Sequence, residues 1–160
     1  MVFMGFTSAV EPVFSYHYGS GNIEMRKKVY RLSMIWNLVL GAAVMILFFF
    51  LRKPAVGIFF TPGTEFYDIA QYGYLLSMPA CLFVGVNIFG SGLFTAFSNG
   101  LVSGLLSFIR TFVVLTACLY GLTALWSGTG LWLAWPAAEA LSLVVTLLTL
   151  HHYRGCYEYA

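Results

Sequence analysis

Residues 32–51 are twenty consecutive positions without a charge. A helix crosses the hydrocarbon of a bilayer in roughly 20 apolar residues, so this run constrains the whole chain. It is not alone: 69–97 is also uncharged, and the stretch from 101 to 150 carries only Arg110 and Glu139. The runs are continuous and do not alternate polar with apolar, which argues against an outer-membrane barrel. Across the 160 residues, 60% are hydrophobic and 9% charged. Soluble domains lie near 45–50% apolar and about 25% charged. Disorder, nucleic-acid binding and ordinary cytosolic enzymes are thereby excluded. The expected fold is all-α, a polytopic membrane helical bundle with the lipid bilayer as its surroundings.

Turn residues divide the bundle. The expected helices lie at about 1–18, 30–51, 68–97, 101–126 and 130–152. Gly19-Ser20-Gly21-Asn22, a loop over 54–66, Ser98-Asn99-Gly100 and Ser127-Gly128-Thr129-Gly130 separate them, and Pro79 should kink the third. The loop around Ile58-Phe59-Phe60 reads as a short interfacial piece. The first stretch is marginal in length for a span and has no cationic start, so it reads as the back part of a helix that begins outside this chain. Cations orient spans. Arg26, Lys27, Lys28, Arg31 and Arg154 fall on one side, and Arg52 and Lys53 on the other. This places the C-terminus in the cytoplasm of an inner (plasma) membrane protein.

Three ionisable residues fall inside these spans: Glu11, Arg110 and Glu139. At about 1.5 Å per helical residue, Glu11 lies roughly 12 Å, Arg110 roughly 15 Å and Glu139 roughly 14 Å from the nearest turn. In a core about 30 Å thick all three sit near the midplane, and so does Asn87. Charge at that depth is costly and faces a bundle interior or a watery cavity. Helical spacing aligns polar companions with each: Ser15 and Tyr18 with Glu11, Ser91 with Asn87, Ser107 with Arg110, and Ser142 with Glu139. Two readings stay open. Arg110 and Glu139, at matching depth on consecutive antiparallel helices, form a structural ion pair. Or the charged residues line a transport cavity for a coupling ion or substrate, with Glu11 as the titrating group. Gly100 and Gly104 have the spacing of a close-packing motif. Cys81, Cys118 and Cys156 show neither metal nor disulfide spacing and read as packing residues. No GxSxG, HExxH, P-loop or dinucleotide fingerprint is present, so neither catalysis nor a cofactor is expected.

Four segments carry a resemblance. Glu11-Pro12-Val13-Phe14-Ser15-Tyr16-His17-Tyr18-Gly19-Ser20-Gly21-Asn22, followed by Arg26-Lys27-Lys28, resembles the "QP…SYNYGAGN" end of the eighth helix of the multidrug and toxic compound extrusion (MATE) family. Asn87 with Phe94-Thr95-Ala96 resembles its tenth helix, and Ser107-Phe108-Ile109-Arg110-Thr111 its eleventh. Gly130-Leu131-Trp132-Leu133-Ala134-Trp135-Pro136-Ala137-Ala138-Glu139 is similar to the twelfth, "GxWxAxPxAE". The resemblance implies helices eight to twelve, part of the C-terminal six-helix lobe. Its partner would be an N-terminal bundle outside this chain, and its substrates small cationic or amphiphilic compounds exported in exchange for protons or sodium. Glu11 stands where the family usually has Gln, and His17 where it has Asn, so the coupling ion does not carry over. Alternatives are a truncated, non-transporting membrane bundle or assembly subunit, and a related flippase of lipid-linked sugars.

Overall fold

The computed structural model describes residues 1–160. The chain is built of helices and turns, with no strand. Helix α1 is Val2–Gly19. It ends in a tight turn where Gly21 takes a φ of 69°, a left-handed value that glycine adopts without a Cβ penalty. Asn22 then caps α2, Ile23–Gly57, its side-chain oxygen accepting from the Met25 N–H at 3.1 Å. This cap corrects the expected start near residue 30. The basic cluster 26–31 lies inside the helix, because a capped run of Glu, Arg and Lys is good helix sequence. Pro54 does not end α2, since the helix runs one further turn, to Gly57.

After the turn around Gly63, Thr64 caps α3, Glu65–Ser77. Ile58, Phe59 and Phe60 are exposed and lie in the connection outside any helix. At Met78 and Pro79 the path bends by 48° into α4, Ala80–Ala96. The bend is where proline was expected to kink the chain, and its cause is the ring's clash and the missing N–H. Asn99 caps α5, Gly100–Phe108, which runs directly into a π-helical turn, Ile109–Val114, and then α6, Leu115–Tyr157.

α6 is not straight. Trp126 and Ser127 leave helical geometry, Ser127 with a φ of 46°. Gly130 returns to lie against the Leu122 carbonyl, and Cys118 packs on Ala134 and Ala138. Residues eight apart would be about 12 Å apart along a straight helix, so α6 folds back into two antiparallel arms. The expected turn at 127–130 is thus made at 126–127, with Gly128 and Gly130 opening the return arm. By length and apolarity, Ile23–Gly57 and Gly100–Tyr157 are able to cross a membrane, and the bent α3–α4 pair makes a third candidate span. Along α2 the large side chains Leu32, Ile35, Trp36, Leu38, Val39, Ile46 and Phe50 stay exposed. That suits a helix whose outer solvent is lipid.

α4 is the centre of the bundle. It packs against α1, α2, α5 and α6 and carries the most continuously buried surface. Small residues permit the approach. A Cβ on Gly41 of α2 would fall 2.7 Å from the Cys81 carbonyl oxygen, and one on Gly90 would strike Thr146. Gly100 and Gly104, by contrast, have open space around them, so their spacing does not mark a packed interface. The burden of close approach falls on Gly41, where the neighbour is rigid backbone. Gly41→Ala is therefore expected to destabilise the chain by about 1–3 kcal/mol through overpacking. Gly104→Ala should be close to neutral, and denaturant titration of the two purified variants in detergent checks the contrast.

Candidate functional site

α4 presents polar residues on two faces, and the structure separates what sequence spacing had placed together. On the face toward α6, Asn87 Nδ2 donates to the Glu139 carboxylate at 2.7 Å and to the Glu139 carbonyl at 3.0 Å. Arg110 Nε lies 3.9 Å from the other carboxylate oxygen. The three form a connected set, with Asn87 and Glu139 buried and Arg110 partly exposed, in which Glu139 is held from both sides. Asn87 supplies the short contact, and Arg110 mainly its charge. Arg110 sits in the π-helical turn, a geometry that widens the backbone locally and recurs at functional sites. Ser142, one turn beyond Glu139, is buried, and its hydroxyl finds no hydrogen-bond partner. A small gap between Arg110, Ser142 and Thr146 adjoins it.

A second side of α4 faces Glu11 of α1. Its side chain looks into an open groove of about 230 Å³ between α1, α4 and α5. Thr7, Ser91, Thr95, Ser103 and Ser107 supply hydroxyls to that groove. Gly92 makes room for the carboxylate: a Cβ there would lie 2.7 Å from Glu11 Oε1 and would also strike Thr7. Thr95 and Ser103 hydroxyls pair across the groove at 2.8 Å, and Ser91 donates to the Ile88 carbonyl at 3.0 Å. Glu11 itself makes no hydrogen bond or ion pair with any side chain. Of the two carboxylates at this depth, one is neutralised and one is free.

Several candidates are therefore reassigned. Ser91 does not share Asn87's surroundings, and Ser107 does not share Arg110's; both line the Glu11 groove. The π-helical turn is the reason for the second, because its wider winding rotates Arg110 away from the direction that α-helical spacing from Ser107 predicts. Ser15 is exposed and does not line the Glu11 groove; its hydroxyl donates to the Ala96 carbonyl at 2.8 Å, tying α1 to α4. Tyr18 stands at the end of the bundle, 5.0 Å from the Phe97 ring and 5.8 Å from Tyr157, with the Arg26 guanidinium 5.4 Å from its centroid. It belongs to an aromatic cluster and lines no midplane cavity. Cys81 and Cys118 are buried free thiols, while Cys156 is exposed.

Sequence reasoning missed Asn37. It is fully buried on α2, its Nδ2 donating to the Ser33 carbonyl at 2.9 Å and its Oδ1 left without a partner. The signal was present, since Asn37 is the single amide in the uncharged run 32–51, one turn before Gly41. A lone amide buried among apolar side chains is costly unless it has a purpose or a hidden partner. Arg26 was missed in another sense. Sequence reasoning reads it only as one of the orienting cations, whereas it is buried and lies 3.5 Å from Glu158.

Comparison with known proteins adds one finding. The family model described as MatE matches residues 1–120, three quarters of the chain, from α1 into the outgoing arm of α6. No curated protein matches, and no solved structure matches. With a helical membrane architecture and a family match of this extent, the chain belongs to the MatE family of membrane transporters.

Proposed function

We propose that this chain forms part of the C-terminal lobe of a secondary active efflux antiporter. It would export small cationic or amphiphilic compounds in exchange for protons or sodium, working with an N-terminal bundle. Glu11 is the group that takes and releases the coupling ion. Arg110, Asn87 and Glu139 fix the packing and charge of the return arm beside it. The observation that carries this reading is the contrast between the two carboxylates. Glu139 is neutralised by Arg110 and held by Asn87, whereas Glu11 is unpaired in a hydroxyl-lined groove. A carboxylate near the membrane midplane without a fixed partner is suited to exchanging a cation or a proton. The excess of cations in the first turns of α2, from Arg26 to Arg31, supports a cytoplasmic C-terminus in the cell membrane.

The test compares two variants of the chain joined to an N-terminal lobe and reconstituted in proteoliposomes. Glu11→Gln is expected to abolish gradient-driven uptake of a cationic dye while leaving the protein folded. Glu139→Gln is expected to lower stability first and to leave residual coupling in the molecules that fold. Full coupled uptake by Glu11→Gln would overturn the assignment.

A further inference from the structure

The segment that follows α6 does not trail away. Glu158 takes a left-handed φ of 51°, and its N–H closes onto the Arg154 carbonyl at 2.9 Å, so the chain doubles back across the end of the bundle. Tyr159 is then wholly buried, and its hydroxyl donates to the Leu150 carbonyl at 2.6 Å. Its ring lies 4.9 Å from Tyr30 of α2 and stacks 5.7 Å from Phe97, just after α4. Glu158 reaches Arg26 of α2 at 3.5 Å. Beside them Tyr157 stacks on Phe97 at 4.7 Å, and its hydroxyl accepts from Asn99, the residue that caps α5. One short segment therefore touches the helices that a transporter lobe would have to part in order to open at this end.

The fastening is strong in packing and weak in charge. Glu158 is 56% exposed, so its ion pair with Arg26 contributes little by itself. Arg26 is buried, however, and on release it would need water or another anion. Tyr159 supplies the area: an aromatic ring seated among others, with its one polar atom satisfied. None of these contacts reaches Glu11, Asn87, Arg110 or Glu139, so the segment can leave without disturbing them.

We propose that residues 158–160 are a strap that clamps α2, the end of α4 and α6 together at this end of the bundle, Tyr159 as the plug and Glu158–Arg26 as the catch, and that the end parts only when the strap lets go. The purpose of such a strap rests on the transporter reading, but its measurement does not, so the two can fail separately. The full chain, carrying Cys156→Ser, is placed in lipid nanodiscs with spin labels at Lys27→Cys and Arg154→Cys, which are exposed near the start of α2 and the end of α6. A control pair, Ile58→Cys and Leu125→Cys, reports on the far end.

With the strap intact the first pair should give one narrow distance. Tyr159→Ala should add a component longer by roughly 5 Å, about one helical turn, and leave the control pair unchanged. Glu158→Gln should do the same to a smaller extent, and Tyr159→Phe, which keeps the ring, least of all. If Tyr159→Ala leaves the first pair unmoved, the segment clamps nothing. If it broadens both pairs together, the segment is part of the common core and not a releasable strap. Either result overturns the proposal.

Discussion

Arg110→Ala is expected to lower the stability of the chain by about 3 kcal/mol, and Arg110→Ala together with Glu139→Ala by clearly less. The asymmetry follows from what each change leaves behind. Removing the guanidinium alone strands the Glu139 carboxylate at 8% side-chain exposure, with only the Asn87 amide to satisfy it. The carboxyl must then take up a proton or draw in water. Removing both charges leaves a cavity and a half-used Asn87, which is a smaller loss. The figure is set at the low end for breaking a buried pair because Arg110 keeps 23% exposure and sits 3.9 Å from its partner. Unfolding by denaturant titration in detergent, performed on both singles and the double, gives the coupling directly. Additive losses would mean that the two side chains do not depend on one another.

The second large effect is an absence of transport. Proteoliposomes containing only this 160-residue chain are expected to accumulate a cationic dye no faster than empty vesicles. Alternating access needs one bundle to rock against another around a site between them. The structure holds a single bundle with α4 at its centre, and the Glu11 groove opens at its side with no second bundle to close over it. Adding an N-terminal lobe should restore uptake that depends on a proton or sodium gradient. Uptake by the chain alone would mean that copies of it assemble and supply the missing face to one another.

The parts of this architecture that depend on local chemistry were legible in the residues. Pro79 announces the bend, Gly19 to Asn22 the first turn, and the uncharged run at 32–51 the body of α2. Matching depth was enough to bring Arg110 and Glu139 together. What was not legible depends on backbone geometry that spacing cannot express. Helical periodicity assumes 3.6 residues per turn throughout, so it aligned Ser107 with Arg110 and could not foresee the π-helical turn that separates them. It also treated α4 as one polar stripe, although a helix surrounded by neighbours has no single inward face. Ser91 and Asn87 therefore look toward different helices. Asn37 escaped for the opposite reason. One amide in a long apolar run makes no pattern, and only its complete burial distinguishes it from an idle position.

The π-helical turn has a mechanical consequence. A π-helical turn is wound more widely than the α-helix on either side of it. Returning Ile109–Val114 to α geometry would wind these residues more tightly, lengthen the segment slightly and turn the chain beyond it about the helix axis. The outgoing arm of α6 would be carried round with it. Arg110 lies at the start of this segment and Glu139 on the arm that folds back, so their contact reads the register of the winding. The ion pair therefore ties the winding of this segment to the position of the return arm.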